Sequence, residues 1–333
     1  MNQKEGVFSL RSGAILISLA GLLYFALRNA PLEQIRNSLR RLQFWQIVVI
    51  LAIDLIIYIF TTARWWLIVQ AENRAISYPA MIGVRISVFG ISYFTIGPQV
   101  GGEPLQVIYL QRKYGLSYTR ATSTVVMDKL LELLANFILL LFGLTGFVRV
   151  GLLSKNGSPP LAGLIGLSLL VAWPLIHILL LYRGIYPLSA LLQAMPFHPS
   201  TKALRFLRAC EHLAGRFCRR QTRALLAAVC VSMVAAAGMV SEYFLMTSFL
   251  HIRLPFWQTV AAWAAGWLSF LVPLPGGLGA LEASQVFAMG FFGISAASAV
   301  GMALLMRARD LVIGGLGLFL AGRSLKQESR REK

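Results

Sequence analysis

Charged residues are scarce in this sequence, at 13% Asp, Glu, Lys and Arg, about half of what a soluble chain carries. Together with 57% hydrophobic residues and a mean hydropathy of +0.69, that shortage excludes an ordinary water-soluble globule. Acids are the scarcest, 13 against 31 Lys and Arg, for a net charge of +18. In a soluble chain such an excess would point to nucleic acid. Here no DNA- or RNA-binding motif is present, and the bases gather between apolar runs, so no nucleic-acid partner is expected. The only cysteines, Cys210, Cys218 and Cys230, form neither a CxxC pair nor a metal-ligand spacing. His177, His198, His212 and His251 are scattered, without HExxH or H-x-E. GxSxG, Walker and GxGxxG motifs are missing too. No metal, no cofactor and no enzyme activity of these classes is expected.

What is present is a series of apolar runs, at residues 12–27, 44–69, 79–96, 117–148, 161–182, 225–249, 256–272 and 295–320. They predict an all-α, polytopic integral membrane bundle of about eight transmembrane helices. One domain is expected over residues 1–323, followed by a basic cytoplasmic tail, 324–333. The stretch 31–46 mixes Ile35, Leu39 and Leu42 with Arg36, Arg40 and Arg41 and is expected to lie along the interface. GLLSKNGSPP (151–160) reads as an exposed loop. Residues 183–223 carry eight Lys or Arg against Glu211 alone, with Leu204, Leu207, Leu213 and Phe217 between them. That pattern predicts a cytoplasmic segment with an amphipathic helix. Both termini are expected on the cytoplasmic side.

Some ionisable residues fall inside the apolar runs, where a charge is costly unless partnered. Asp54 and Glu242 are open between structure and function. Arg64, followed by Trp65-Trp66, reads as an interfacial anchor. Arg85 lies near the start of its run, where snorkelling competes with a functional role.

Two stretches are interrupted by glycine and proline. In 273–310, Pro273, Pro275, Gly276, Gly277 and Gly279 precede Glu282; in 101–132, Gly101 and Gly102 precede Glu103. These residues cannot continue a stable helix, so they mark hinge or re-entrant segments whose free backbone groups must face protein or a wet cavity. The stretches also match one another. Glu103, Gly115-Leu116-Ser117, Ala121, Lys129 and Glu132 correspond to Glu282, Gly293-Ile294-Ser295, Ala299, Arg307 and Asp310. From serine onward the spacing is identical, and Glu to Gly differs by one residue. Bases flank the start of the first copy's long helix but follow the end of the second's, which predicts an inverted-topology repeat.

Gly102-Glu103 with Leu110, Arg112 and Gly115-Leu116-Ser117, then Asp128-Lys129 with Glu132, make up the first part of a recognisable pattern. Pro275-Gly276-Gly277-Leu278-Gly279 with Glu282, and Leu304-Leu305-Met306-Arg307, make up the second. Together they resemble the flippase-like membrane domain of lysylphosphatidylglycerol synthases, also found as stand-alone bacterial and archaeal membrane proteins. The Ala63-Arg64-Trp65 segment fits as well. Asp128-Lys129 stands where the family more often has Glu-Arg, and Gln106 where it commonly has Arg. The resemblance implies movement of a lipid headgroup between leaflets. Because the chain ends at Lys333, it is expected not to aminoacylate lipid itself, and a separate lipid-modifying enzyme is an implied partner.

The expected function is thus a lipid flippase or transporter in a bacterial or archaeal cytoplasmic membrane. Its substrate would be an anionic or aminoacylated phospholipid, or a lipid-linked saccharide. Glu103, Asp128, Glu132, Glu282 and Asp310 are the candidate sites for a cationic or hydroxylated headgroup, with Lys129 and Arg307 for phosphate. Lys129–Glu132 and Arg307–Asp310 read equally as mutually satisfied structural pairs. The alternative function is an enzyme or accessory protein acting on lipid-linked glycan or aminoacyl-lipid.

Overall fold

A computed structural model of the chain describes residues 42–72, 75–95, 101–149, 161–194 and 200–331, and these form only helices and turns. The expected span 12–27, most of the stretch 31–46 and the loop 151–160 lie outside the described residues. The helices are α1 (Phe44–Gln70), α2 (Tyr78–Phe94), α3 (Glu103–Tyr114), α4 (Tyr118–Arg149), α5 (Leu161–Tyr182) and α6 (Pro187–Ala194). They continue with α7 (Thr201–Arg220), α8 (Thr222–Phe249), α9 (Phe256–Ser269), α10 (Ala280–Phe291) and α11 (Ala296–Arg331). A 3₁₀ turn, Pro275–Gly277, separates α9 from α10.

The packing is inside-out relative to a soluble bundle. Helix α1 buries Asp54, Thr61, Thr62 and Arg64 while exposing Phe44, Ile47, Ile56 and Ile59. Apolar side chains facing outward suit hydrocarbon, and polar side chains must then find partners within the protein.

Helices α1–α4 and α8–α11 are two copies of one unit. Their lengths run 27, 17, 12 and 32 residues in the first and 28, 14, 12 and 36 in the second. Helix α1 packs on its own counterpart α8, whereas α2 packs on α11 and α4 on α9, the exchange a pseudo-twofold relation requires. Helices α5–α7 are inserted between the copies.

The recurring Gly-Leu/Ile-Ser follows from how one helix must end and the next begin. Gly115 and Gly293 take φ of 65° and 79°, the left-handed conformation that ends a helix at little cost to glycine. The following N–H groups turn back, Leu116 to the Leu110 carbonyl and Ile294 to that of Met289. The serine then caps the next helix: Ser117 Oγ accepts from the Arg120 N–H and Ser295 Oγ from that of Ser298. The alanine four residues on makes the first helical bond, and Ala121 and Ala299 are both fully buried.

Contacts fix the helix directions. Arg64 meets Asp128 and Glu132, while Ile50 clusters with Phe137 and Leu140, and Val69 with Ala121 and Val125, so α1 and α4 are antiparallel. Tyr58 meets Phe89 edge-on and Trp66 meets Tyr78 in the same way, so α1 and α2 are antiparallel too. Gly317 lies against Ile86, and Gly314 against Phe94, which turns α11 against α2. Helices α4 and α11 therefore cross in opposite senses, as an inverted repeat demands. The start of α4, helix α7, the start of α8 and the end of α11 all lie at one end of the bundle. Arg112, Lys113, Arg120, Arg205, Arg208, Arg216, Arg219, Arg220 and Arg323 collect there.

The expected count of eight spans is not reproduced. Length and apolarity single out α1 and α8 among the described helices, and a third span only if α5 and α6, bent by 104°, are taken as one. Helices α4 and α11 are long enough but carry ionisable residues at mid-length. Helices α2 and α9, expected as the third and seventh spans, are arms of re-entrant hairpins. Tyr109 of α3 reaches back to the Ala80 carbonyl, and Gln285 of α10 to that of Ala262. In 183–223, α7 is amphipathic as expected, but Glu211 is buried, its carboxylate accepting from the Leu188 and Ser189 N–H groups that begin α6.

The α2–α11 crossing is backbone against backbone. A Cβ at Gly317 would stand 2.2 Å from the Ile86 carbonyl oxygen, whereas one at Gly315 would meet nothing within 4 Å. Gly317→Ala is therefore expected to destabilise by about 1–3 kcal/mol, and Gly315→Ala to be neutral or slightly stabilising, read as thermal unfolding of the detergent-purified protein.

Candidate functional site: a charged cavity between two hairpin tips

The tips of the two re-entrant hairpins enclose a cavity of about 230 Å³. Ser92, Tyr93, Glu103 and Gln106 face it from the α2–α3 hairpin, and Trp263, Trp267 and Phe270 from the α9–α10 hairpin. The long helices supply most of the charge. Asp54, Glu103, Asp128, Glu132, Glu242 and Asp310 line it with Arg85, Lys129 and Arg309. Six acids and three bases in an otherwise aromatic and aliphatic wall are not what a structural core needs.

On the first copy's side the charges form one closed network. Arg64 Nε donates to Asp128 Oδ1 at 2.6 Å and its Nη2 to Glu132 Oε2 at 3.0 Å. Arg85 bridges the same two acids, at 2.7 and 3.2 Å. Lys129 Nζ reaches Glu132 at 2.9 Å and Glu103 at 3.2 Å. Asp128 and Glu132, four residues apart, share a helical face, which lets the same two arginines bind both. Arg64 is only 2% exposed. It is thus a buried counter-ion and not the interfacial anchor expected from its tryptophan neighbours. Arg85 likewise points into the protein.

The second copy is built differently. Arg309 donates to Glu242 Oε2 at 2.6 Å and to Asp310 Oδ1 at 2.7 Å. Arg307, one of the expected phosphate ligands, instead turns away to Glu282, which its Nη2 meets at 2.8 Å and its Nε also contacts. Its remaining donors go to the Gly276 and Gly277 carbonyls, at 3.0 and 3.1 Å. Glu282 accepts in addition from the Gly279 N–H at 3.0 Å. Gly276, Gly277 and Gly279 have φ of 55°, 60° and 76°, so glycine is what lets the carbonyls turn toward the guanidinium. The break begun by Pro275 is thereby pinned. In the first copy Gly102 brings its backbone against Val88 and donates to Ser92 Oγ at 2.7 Å; Gly101 lies beside it, and 96–100 are outside the described residues.

Of the seven expected binding residues, Glu103, Asp128, Lys129, Glu132 and Asp310 line the cavity, and Glu282 and Arg307 do not. The repeat nevertheless predicts the bonding. Lys129–Glu103 and Arg307–Glu282 are equivalent base–acid pairs in the two copies, each tying the long helix to its hairpin. The alternative Arg307–Asp310 pairing is replaced by Arg309–Asp310. Arg309 was not foreseen because its counterpart in the repeat is Leu131. Arg64 could have been found by charge balance, since two neighbouring acids in α4 exceed what Lys129 alone can neutralise.

Several acceptors facing this region lack a partner among the described residues: Glu103 Oε2, Gln106 Oε1 and Glu242 Oε1. No group of three or more His, Cys, Asp or Glu among the described residues has a metal-holding arrangement.

The family model of the lysylphosphatidylglycerol synthase TM region matches residues 12–317. The chain belongs to that family. It is also similar to a UPF0104 membrane protein of Pyrococcus horikoshii, 24% identical over 259 residues that cover 73% of this chain and 76% of the relative. No solved structure matches the chain. Family membership covers both copies and the insertion, so the cavity between the hairpins belongs to the shared membrane region.

Glu282→Gln removes the counter-charge of a guanidinium that is 5% exposed. Stranding that charge is expected to cost about 3–5 kcal/mol, seen as a lowered unfolding midpoint in detergent. Glu103→Gln, whose side chain is 17% exposed at the cavity, is expected to lower it far less.

Proposed function

We propose that the chain is a lipid translocator, in which the cavity between the hairpin tips receives a phospholipid or polyprenyl-phosphate headgroup on its way between leaflets. The observation that carries this reading is the set of nine ionisable side chains around one cavity within a membrane bundle. A headgroup crossing the hydrocarbon core alone would face a barrier of at least about 2.5–3.5 kcal/mol per charge. Here it meets polar groups that already oppose one another and can exchange partners. Lys129 and Arg85 are the donors for phosphate, and Glu103, with one unpartnered oxygen, is the acceptor for an ammonium or hydroxyl group. Family membership in the membrane region of a lipid synthase supports a lipid as cargo.

The two copies supply a route for alternating access. Each hairpin returns to the side from which it enters, and the two enter from opposite sides, so the cavity lies between a gate to one leaflet and a gate to the other. The bases gathered at the end of the bundle holding α7 and the end of α11 support a cytoplasmic assignment for that end. In this reading the chain performs no covalent chemistry, and an aminoacylated or glycosylated lipid would come from a separate enzyme.

The test is leaflet exchange of fluorescent phospholipids in vesicles reconstituted with the purified protein. Glu103→Gln combined with Glu132→Gln is expected to slow exchange about tenfold or more, the loss of charge-assisted hydrogen bonds. Wild-type exchange no faster than in protein-free vesicles would refute transport, and product formation from candidate lipids would favour an enzyme.

A further inference from the structure

The two copies place different ionisable residues around the cavity. At the 178-residue offset that matches Lys129 with Arg307, Arg64 falls on Glu242, Arg85 on Trp263 and Asp128 on Met306. The first copy carries four acids, Asp54, Glu103, Asp128 and Glu132, and pairs the last three with Arg64, Arg85 and Lys129. The second copy has neither arginine at these positions, carries Glu242 in place of Arg64, and has Arg309 where the first has Leu131. Arg309 binds Glu242 and Asp310, with Arg307 acting on Asp310 from farther off, and Asp54 of α1 lines the same cavity.

Two acids of this second cluster have bonding capacity left over. Glu242 is 2% exposed, and its Oε1 has no hydrogen-bond partner among the described residues. Asp54 is 8% exposed, lines the cavity, and has no ion pair or hydrogen bond among the described residues. The other ionisable groups facing it offer no relief. Tyr58 stands beside Asp54 on α1, and Tyr93 of α2 faces Asp310 and Arg309. Arg85 of α2 is committed to Asp128 and Glu132 of α4, Lys129 to Glu103 and Glu132, and Arg307 to Glu282. Helix α9 contributes only Trp263 and Trp267 to the wall. Three buried carboxylates with one guanidinium bonded among them are costly to keep all ionised, and binding a cation relieves that cost.

We infer that Asp54, Glu242 and Asp310, gathered around Arg309, form a proton-binding site. Uptake adds one O–H to a carboxylate, removes one negative charge from the cavity, and draws the proton from water with no redox step. The hydroxyl so formed can donate to an unpartnered oxygen such as Glu242 Oε1. The site stands without reference to the cargo. Its use as a driving ion rests on the lipid reading: protonation lowers the repulsion that an anionic headgroup would meet on this side, so proton and lipid enter together.

The site is tested on the full chain in lipid nanodiscs by infrared spectroscopy between about pH 5 and about pH 9, a range outside that of an unperturbed carboxyl. A protonated-carboxyl C=O band is expected at neutral pH, lost in alkali and shifted in D₂O. Asp54→Asn combined with Glu242→Gln should abolish it in protein that remains monodisperse, and Glu103→Gln should leave it. No such band at neutral pH, or a band surviving the double substitution, would overturn the site. A band appearing only when sodium is withheld would assign the position to that cation and overturn it equally. Vesicle exchange then separates the two readings. A several-fold acceleration by an imposed pH gradient, lost in Asp54→Asn, supports coupling. Exchange indifferent to the gradient overturns coupling alone, and no exchange at all overturns lipid transport while leaving the spectroscopic result intact.

Discussion

Ionisable side chains held in hydrocarbon must be neutralised by groups on other helices, and this requirement shapes the molecule. Asp128 and Glu132 are bound by an arginine from α1, an arginine from α2 and the lysine next in the chain. Removing any one helix would leave an uncompensated charge, so the network also serves as a specification of which helices are neighbours. The apolar faces cannot do this, because lipid satisfies them as well as protein does. Small residues at the crossings and charges in the middle therefore determine how the bundle assembles.

Much of this was readable from the chain itself. Low charge, long apolar runs and the spaced Gly-Leu/Ile-Ser signal indicate a membrane bundle with an internal repeat, and each element of that signal has a mechanical reason at a helix junction. Lys129–Glu132 was foreseen because both ends lie on one helix. What escaped were the contacts between distant helices. Arg64 looks like an interfacial residue when only its tryptophan neighbours are considered, and nothing local reveals that Asp128 lies opposite. An exact count of spans is likewise not a matter of hydropathy alone. Hydropathy registers apolar length, whereas α2 and α9 are apolar yet turn back before they leave the bilayer. Arg309 escaped because repeat matching looks for similarity, and its importance lies in a difference.

That difference bears on how such a repeat works. The tie between each long helix and its hairpin is retained in both copies, Lys129 to Glu103 and Arg307 to Glu282. The groups facing the cavity have diverged. The internal fastening is the same in the two copies while the lining differs, one wall holding the Arg64–Arg85–Lys129 network and the other Arg309 with Glu242 and Asp310. Two equally fastened hairpins thus present different side chains to one cavity.

The backbone contact between α2 and α11 has a mechanical meaning beyond stability. Gly90 and Gly317 leave no side chains to interlock, yet the carbonyl of Ile86 and the amide of Gly90 sit directly against the neighbouring main chain. Sliding along such a seam would drive peptide groups into one another, whereas tilting about it displaces few atoms. The junction therefore resists sliding of one copy along the other more than it resists tilting.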